Sequence, residues 1–600
     1  MVRWNFRQAD PERVRAVAEG IVSSPGCGKD SELRPLLAKL LVVRGIENAE
    51  SALSFLSPSL EQLHSPYLLT GLHQAVERIS AAIERKEGIL VYGDYDVDGT
   101  TAVVILKTAI ELCGGEADFH VPHRIREGYD LRGDVIERAA AGGIRLVISV
   151  DAGTRAFAAA ESAARAGVDL IITDHHLPGS GGLPRALAVV NPHQVGCEYP
   201  SKSLCGAGIA LKVAQALMAK HLAHRDQQSL LLSFMKIAAI ATIADSVPLV
   251  GENRVIASLG LNALRSAVNP GLKALLEVAQ LGGKPLRSGE VAFRIAPRIN
   301  AAGRMDIARD VVELFSVKEA SAARDIATRL DQLNRERQEE ERSILEAIEQ
   351  RFAEDAALGD RFCVVIDGEG WHRGVIGITA TRVVERYGRP TLVVSRNGDE
   401  AHGSGRSIPG FHLLNALESC APLFSRFGGH AHAVGFTLPS SRVKELQAHM
   451  DHYARSCLTL ADFEPLVNID AELPLDAVTP DLFEALRRLE PFGAGNPEPV
   501  FFASAARLSA PPKILKDIHA KLRFTPGLAA GNGWRRALTH SAMAWRMAQR
   551  VTEDKILPGD SLDLAFTLER NQHPDFGGIE LSLRDYKVMA RTGVAGSAGA

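Results

Sequence analysis

Three features of the sequence predict an α/β protein: a doubly wound domain, a smaller α/β domain joined to it by a long helix, and a C-terminal β-barrel. Between about residues 86 and 250, apolar strand-like runs alternate with Ala-rich helical patterns such as 155–166, the signature of a parallel sheet covered by helices. From 318 to 358 no glycine or proline interrupts the chain, and its centre, 334–342, is polar all round, as in a helix bridging two domains. From about Leu466 the pattern shifts to short β runs (500–503, 521–524, 562–566, 579–583) broken by turn signals, which suits a small barrel.

Six hundred residues exceed what one core holds, so several domains are expected. Residues 1–80 read as a helical region, with Leu36, Leu37, Leu40, Leu41, Leu53, Phe55 and Leu56 as its buried face. Residues 81–315 are expected to form the doubly wound domain, with strands at 88–92, 144–150 and 169–173; the apolar stretch 236–244 suits either a helix or a strand. A connecting helix at 316–358 leads to a second α/β domain at 359–460, with strands at 362–366 and 391–395 around a helix at 375–387. The barrel takes 466–590, and the tail 591–600 is too poor in large apolar residues to fold.

The formal charge of −4 gives no global basic field, so a nucleic-acid site must be a local groove of positive potential. Seven scattered cysteines form no CxxC pair and no disulfide framework, which fits a reducing cytoplasm; Cys197 and Cys205 read as packed thiols. The amino terminus is charged from Arg3 onward, no window approaches a charge-free membrane span, and a cytoplasmic protein is expected.

Chemistry concentrates at strand ends. The run 88–92 leads into Gly93-Asp94-Tyr95-Asp96-Val97-Asp98-Gly99, the run 144–150 into Asp151-Ala152-Gly153, and the run 169–173 into Asp174-His175-His176. Asp245 follows the apolar stretch 236–244. In an open parallel sheet the crevice beyond the carboxyl ends of the strands binds ligands, so these residues can converge. So many carboxylates repel one another unless cations neutralise them. Mixed oxygen and imidazole donors suit Mn²⁺, Mg²⁺ or Zn²⁺, and the surplus of hard oxygen leans towards the first two. Two such ions roughly 3.5–4 Å apart support in-line phosphoryl displacement, which implies hydrolysis of a phosphodiester or phosphoanhydride. A calcium-loop reading of 94–99 fails, because the position where an EF-hand needs glutamate holds Ile105. Taken singly, Asp151-Ala152-Gly153 suits a turn and Asp245 a satisfied buried acid; only the ordered combination is specific.

That combination resembles the DHH phosphoesterase superfamily, in which Tyr92 to Gly99, Asp151 to Gly153, Asp174 to His176, and Ala244 to Leu249 match the four motifs. Within it the chain is similar to the single-strand-specific exonucleases. The likeness covers nearly the whole chain, including 298–305, 370–378, 427–430 and 489–493; one departure is Asp130, where the family usually carries glycine.

The resemblance implies two Mn²⁺ or Mg²⁺ ions held by Asp94, Asp96, Asp98, Asp151, His175 and Asp245, with Asp151 bridging. Asp98, Asp151, His175 and His176 form the implied catalytic set, with Asp174 and His176 supporting the ligands or facing substrate. Arg124, Ser404 and Arg406 are implied around a terminal 5′-phosphate, Arg304 and His430 on the scissile or adjacent phosphate, and Asn300 as a further nucleic-acid contact. The glycine-rich segments 403–407 and 428–432 read as turns able to wrap a phosphate. The barrel would be an OB-fold gripping the strand through Lys513, Lys516, Lys521 and Arg523 with Phe524, Trp534 and Trp545.

The activity implied is degradation of single-stranded DNA from the 5′ end in recombination and repair, the polarity coming from the resemblance alone. Single-stranded DNA, a single-strand binding protein and recombination or mismatch-repair factors are the implied partners. One rival reading is a hydrolase of short oligonucleotides or pyrophosphate, which needs only the two α/β domains. The other is a non-catalytic DNA-binding scaffold, which should have lost ligands that are all present here.

Overall fold

A computed structural model describes residues 2–22, 33–128, 130–179, 181–305, 308–526, 539–571 and 577–589. The expected unfolded tail 591–600, Trp534 and Cys27 lie outside these residues. The chain divides into two compact units, one formed by 59–464 and the other by 1–58 together with 465–600.

The larger unit is built on a five-stranded parallel sheet in the order Ala117–His120, Gly88–Gly93, Ile144–Val150, Asp169–Thr173, Ala188–Val190. The strand order reverses between Gly88–Gly93 and Ile144–Val150, the switch point at which doubly wound sheets open a crevice. Alternation along Gly88–Gly93 explains the two covered faces. Ile89 and Val91 pack under the helices Val97–Leu112 and Gly206–His221, whereas Leu90 and Tyr92 pack against Gly133–Ala141 and Phe157–Ala166.

The ambiguous stretch 236–244 is the end of the helix His224–Ala244, which stops at Asp245 three residues before Pro248. By length and hydropathy this helix could cross a membrane, although Lys236 interrupts it, so it is not a charge-free span; half of the qualifying window is buried in the fold. The helix Leu72–Glu84 also belongs to this unit and buries Leu72, Val76 and Ile79 in the core beside the sheet.

The long helix runs over Ala320–Glu354, and its centre is not solvated all round. Asn334, Arg337 and Glu341 are buried where Arg382 of the helix Ile376–Tyr387 reaches across, its Nε lying 3.1 Å from Glu341 Oε1. Beyond it, the second sheet runs in the order Arg426–Gly429, Ala433–Pro439, Glu400–Arg406, Thr391–Asn397, Val364–Glu369. The segment 403–407, expected as a turn, lies mostly in the strand Glu400–Arg406. Its glycines serve packing: a Cβ at Gly403 would meet the Phe436 ring and one at Gly405 the Val434 side chain.

In the smaller unit, strand Arg3–Phe6 pairs in parallel with Leu466–Ile469, so the first 58 residues share a core with the barrel. Leu37, Leu40, Leu41 and Phe55 are buried there with Leu482 and Phe483 of the helix Pro480–Arg487. Seven strands form the barrel, and pairing of Phe501–Leu508 with His519–Thr525 closes it.

A fully buried ion pair fastens the catalytic core. Lys212 Nζ lies 2.5 Å from Glu252 Oε1, and Tyr199 Oη donates to Glu252 Oε2 at 2.5 Å. We predict that Lys212→Met destabilises the protein by about 3–5 kcal/mol in urea unfolding, because buried Glu252 loses its cation and keeps only the Tyr199 hydroxyl and the His64 amide as donors, and that adding Glu252→Gln recovers part of the loss. Equal stability of Lys212→Met and wild type would contradict this.

Candidate active site

The acidic loop leaves strand Gly88–Gly93 and turns at once into the helix Val97–Leu112. Asp96 caps that helix: its Oδ1 accepts the amides of Asp98 (2.9 Å) and Gly99 (3.1 Å). Asp98 is held by a second helix, accepting from the amides of Gly206 (2.5 Å) and Ala207 (2.7 Å) that open Gly206–His221. Asp151 follows strand Ile144–Val150 with φ of 58°, a left-handed conformation that a non-glycine residue keeps only where its surroundings impose it.

Asp174 accepts from the amides of Thr154 (2.9 Å), His175 (2.8 Å) and His176 (3.1 Å) and lies 2.7 Å from His176 Nδ1. Burial opposes its charge, but these bonds prevail and hold its pKa well below the usual carboxylate range. Burial also opposes charge on His176, and the Asp174 carboxylate overcomes it, raising the imidazole to about 9. His175 differs: burial outweighs the nearby acids and lowers its pKa, favouring the neutral ring that a ligand needs. Its Nε2 lies 3.2 Å from Asp151 Oδ1, 3.7 Å from Asp98 Oδ2 and 3.9 Å from Asp245 Oδ2.

Donor atoms converge in three sets, each within 4.8 Å: Asp94, Asp96 and Asp151; Asp98, His175 and Asp245; and Asp151, His175 and His176. Burial, then neighbouring carboxylates, pushes Asp94, Asp96 and Asp151 upward and Asp245 to about 8. Asp94 Oδ1 and Asp151 Oδ1 are buried without a hydrogen-bond partner. Orphaned carboxylate oxygens beside an imidazole nitrogen, in a cluster that cannot carry all its charge, fit divalent cations.

Opposite the acids lies a cationic crevice. The Arg124 guanidinium sits 4.6 Å from the centre of the Tyr95 ring. Arg406 Nη1 donates to Ser404 Oγ (3.2 Å) and to the Gly405 carbonyl (2.7 Å), and Arg304 Nη1 donates to the Gly374 carbonyl (2.9 Å). Burial, then the charges of Arg124 and Arg406, draws Arg304 down to about 9; burial and Arg124 likewise lower Arg406. His430 is lowered by burial and then by His432, Arg406 and His176. These cations crowd one another in a space suited to an anion. Asn300 Oδ1 accepts the Val97 amide at 3.2 Å and props the acidic loop.

Sequence reasoning missed several supports. The amides of Gly206 and Ala207 were signalled only by small residues opening an apolar helix pattern. Asn191 donates to Thr154 Oγ1 (2.9 Å) and to the His176 carbonyl (2.8 Å), and its only signal was an Asn-Pro turn after a strand. Asp130 has φ of 83°, which explains a preference for glycine there, and aspartate is among the few other residues that enter this region readily. Its turn is held by Leu131 N donating to Asp130 Oδ1 (2.9 Å) and Tyr92 Oη donating to the Asp130 carbonyl (3.1 Å).

In the barrel, Phe524 is a core residue with no exposed surface, because even-numbered positions of His519–Thr525 point inward. It cannot stack on a base. Lys521 pairs with Glu580 at 2.9 Å. Trp545 is 47% exposed, its ring 4.9 Å from that of His519 and its Nε1 donating to Ser582 Oγ at 3.2 Å.

Residues 88–242 match the DHH family N-terminal domain, 359–456 the DHHA1 domain and 469–585 the RecJ OB domain. The single-stranded-DNA-specific exonuclease RecJ of Dickeya dadantii is 36% identical, over 82% of this chain and 87% of its own length. That of Bacillus subtilis is 37% identical over 87% of this chain, which spans 64% of the length of that relative. RecJ from Thermus thermophilus in complex with Mn²⁺ superposes with a TM-score of 0.80 at 28% identity, covering 98% of this chain and 79% of the other. Its Mg²⁺ complex gives 0.73 at 27% identity, covering 98% and 78%.

A Cβ at Gly206 would lie 2.5 Å from Asp151 Cβ and 2.8 Å from its Oδ1. Gly206→Ala is therefore expected to displace Asp151 and weaken Mn²⁺ binding about 10–100-fold in calorimetry, with the circular dichroism of the fold retained. Unchanged Mn²⁺ affinity would show that Asp151 tolerates the methyl group.

Proposed function

Because the chain belongs to the RecJ family of DHH phosphoesterases, we propose that it is a single-stranded-DNA-specific 5′ to 3′ exonuclease, dependent on Mn²⁺ or Mg²⁺. What supports this most is the meeting of unpaired buried carboxylate oxygens with an arginine crevice across the end of one sheet. Asp94, Asp96 and Asp151 would hold one ion and Asp98, His175 and Asp245 the other, with Asp151 close enough to His175 to be shared. When bound, the ions neutralise phosphoryl charge and lower the pKa of the attacking water.

The chain's own residues do the rest. Arg406 and Ser404 receive a terminal 5′-phosphate, next to the amino end of the helix Ile376–Tyr387, where a Cβ at Gly377 would touch both. Arg124 shares that terminal phosphate, Arg304 contacts the neighbouring one, and His176, kept protonated by Asp174, faces the latter as a hydrogen-bond donor together with His430. Asp174 orients His176 and ties its loop to Thr154. The domain reading is a catalytic domain to about residue 315, a connecting helix at 316–358, a DHH-associated domain at 359–460, and an OB barrel at 466–590 packed with the first 58 residues.

The barrel adds affinity for the strand through Trp545 and the exposed lysines of its hairpin, Lys513 and Lys516. The protein acts in the cytoplasm on DNA in repair and recombination, with single-strand binding protein and recombination factors as partners.

Asp151→Ala is expected to abolish turnover of 5′-labelled single strands while leaving strand binding in place; normal turnover would sink the two-ion reading. Arg406→Ala should reduce the preference for 5′-phosphorylated over 5′-hydroxyl ends, measured as a ratio of kcat/KM, and an unchanged ratio would remove the pocket. Trp545→Ala should cost about 1–3 kcal/mol of affinity for long strands with kcat intact. Equal affinity would make the barrel face structural.

A further inference from the structure

The helical run that ends at Arg304 carries one more surface. It starts as Ser288–Glu290, widens into a π turn over Val291–Ile295 and continues as the helix Ala296–Met305. Pro297 accounts for the widening, since it has no amide to give the Phe293 carbonyl four residues back and its ring crowds that carbonyl. Val291 and Ile295 are buried beneath the turn, while Phe293 stands 76% exposed, more than any other aromatic side chain among the described residues.

Phe293, Asn300 and Arg304 follow one another in order along this run at intervals of seven and four residues, with the π turn shifting Phe293 out of strict α-helical phase with the other two. At Asn300 the run is closed by the acidic loop, through the bond from Val97 N. At Arg304 it feels the charges of Arg124 and Arg406. At Phe293 it is open. The helix therefore sets three stations in order over about 16 Å: phosphate crevice, acidic cluster and exposed ring. Lys284 and Arg287 are exposed on the segment that leads into the turn.

We infer that Phe293 is a stacking platform for a base of the single strand on the 3′ side of the cleaved bond. The direction follows from the order of the stations: with the 5′ end at Arg406 and the cut at the acidic cluster, the remaining strand leaves towards the exposed ring. Lys284 and Arg287 supply the cationic surroundings that a polyanion requires, and an aromatic face accepts any base. This inference rests on the exonuclease reading given above.

The test uses the full chain with Mn²⁺ and 5′-phosphorylated strands of two lengths, a dinucleotide and a 20-mer. Phe293→Ala should raise KM for the 20-mer about tenfold and leave dinucleotide turnover unchanged, and Phe293→Trp should restore the 20-mer value. In EDTA, 2-aminopurine near the 5′ end of the 20-mer should be quenched by the wild-type protein and less so by Phe293→Ala. Unaltered KM for the 20-mer in a wild-type-active protein would overturn the platform alone, as would an equal loss on both substrates. Inactivity of the wild type on both strands would overturn the exonuclease reading and the platform with it.

Discussion

Carboxylate crowding at the sheet's switch point is the constraint on which the rest of the larger unit depends. Asp94, Asp98, Asp151 and Asp174 are all nearly inaccessible to water, and left alone such a group would take up protons. The fold treats them unequally. Asp174 is saturated with donors and keeps its charge; Asp96 and Asp98 are each set at a helix amino end; Asp94 and Asp151 retain an oxygen with no partner. Protein groups satisfy some of these acids, and the remainder define where cations must sit.

That division requires close backbone approach. Gly206 lies against Asp151 with no room for a methyl group, and Gly303 is pressed on the Tyr95 carbonyl in the same way. Gly374 then meets the Arg304 carbonyl, so the second α/β domain is joined to the acidic loop through a succession of glycines. The crevice is as narrow as these contacts make it. Arg304 and Arg406 are half-sequestered by the same packing, which explains why their charges are disfavoured until an anion arrives.

The three acidic strand ends were legible because a parallel sheet writes each strand as a short apolar run and puts function just after it, as at 88–93, 144–150 and 169–173. The strands Ala117–His120 and Ala188–Val190 were not, the first being short and polar and the second only three residues long. Ligand identity could be read from residue type, but the supports could not, because a backbone amide such as Gly206 N leaves no trace in side-chain chemistry. Gly403 to Ser407 misled for a related reason: glycine marks both turns and crowded strands, and only the neighbours Phe436 and Val434 decide between them. Phe524 and Trp545 were equivalent in the sequence, but Phe524 lies at an inward position of His519–Thr525 whereas Trp545 falls in the turn just after the strand His540–Ala544 and is exposed. The first 58 residues gave no hint of their partner, since the pairing of Arg3–Phe6 with Leu466–Ile469 spans more than 450 residues of chain.

The two halves of the site are electrically incomplete in opposite senses. The acids are short of cations, the arginines are short of anions, and each half already feels the other: Asp96 is stabilised by Arg124, and Arg304 by Asp96. Cations bound to the acids would withdraw that stabilisation from the arginines and sharpen their need for phosphate. Phosphate in the crevice would in turn raise the demand for cations. Binding free energies obey reciprocity, so whatever affinity the ions lend the substrate, the substrate must lend the ions. A site divided in this way reaches neutrality only when ions and phosphate are both present, which confines the fully assembled state to the complex that reacts.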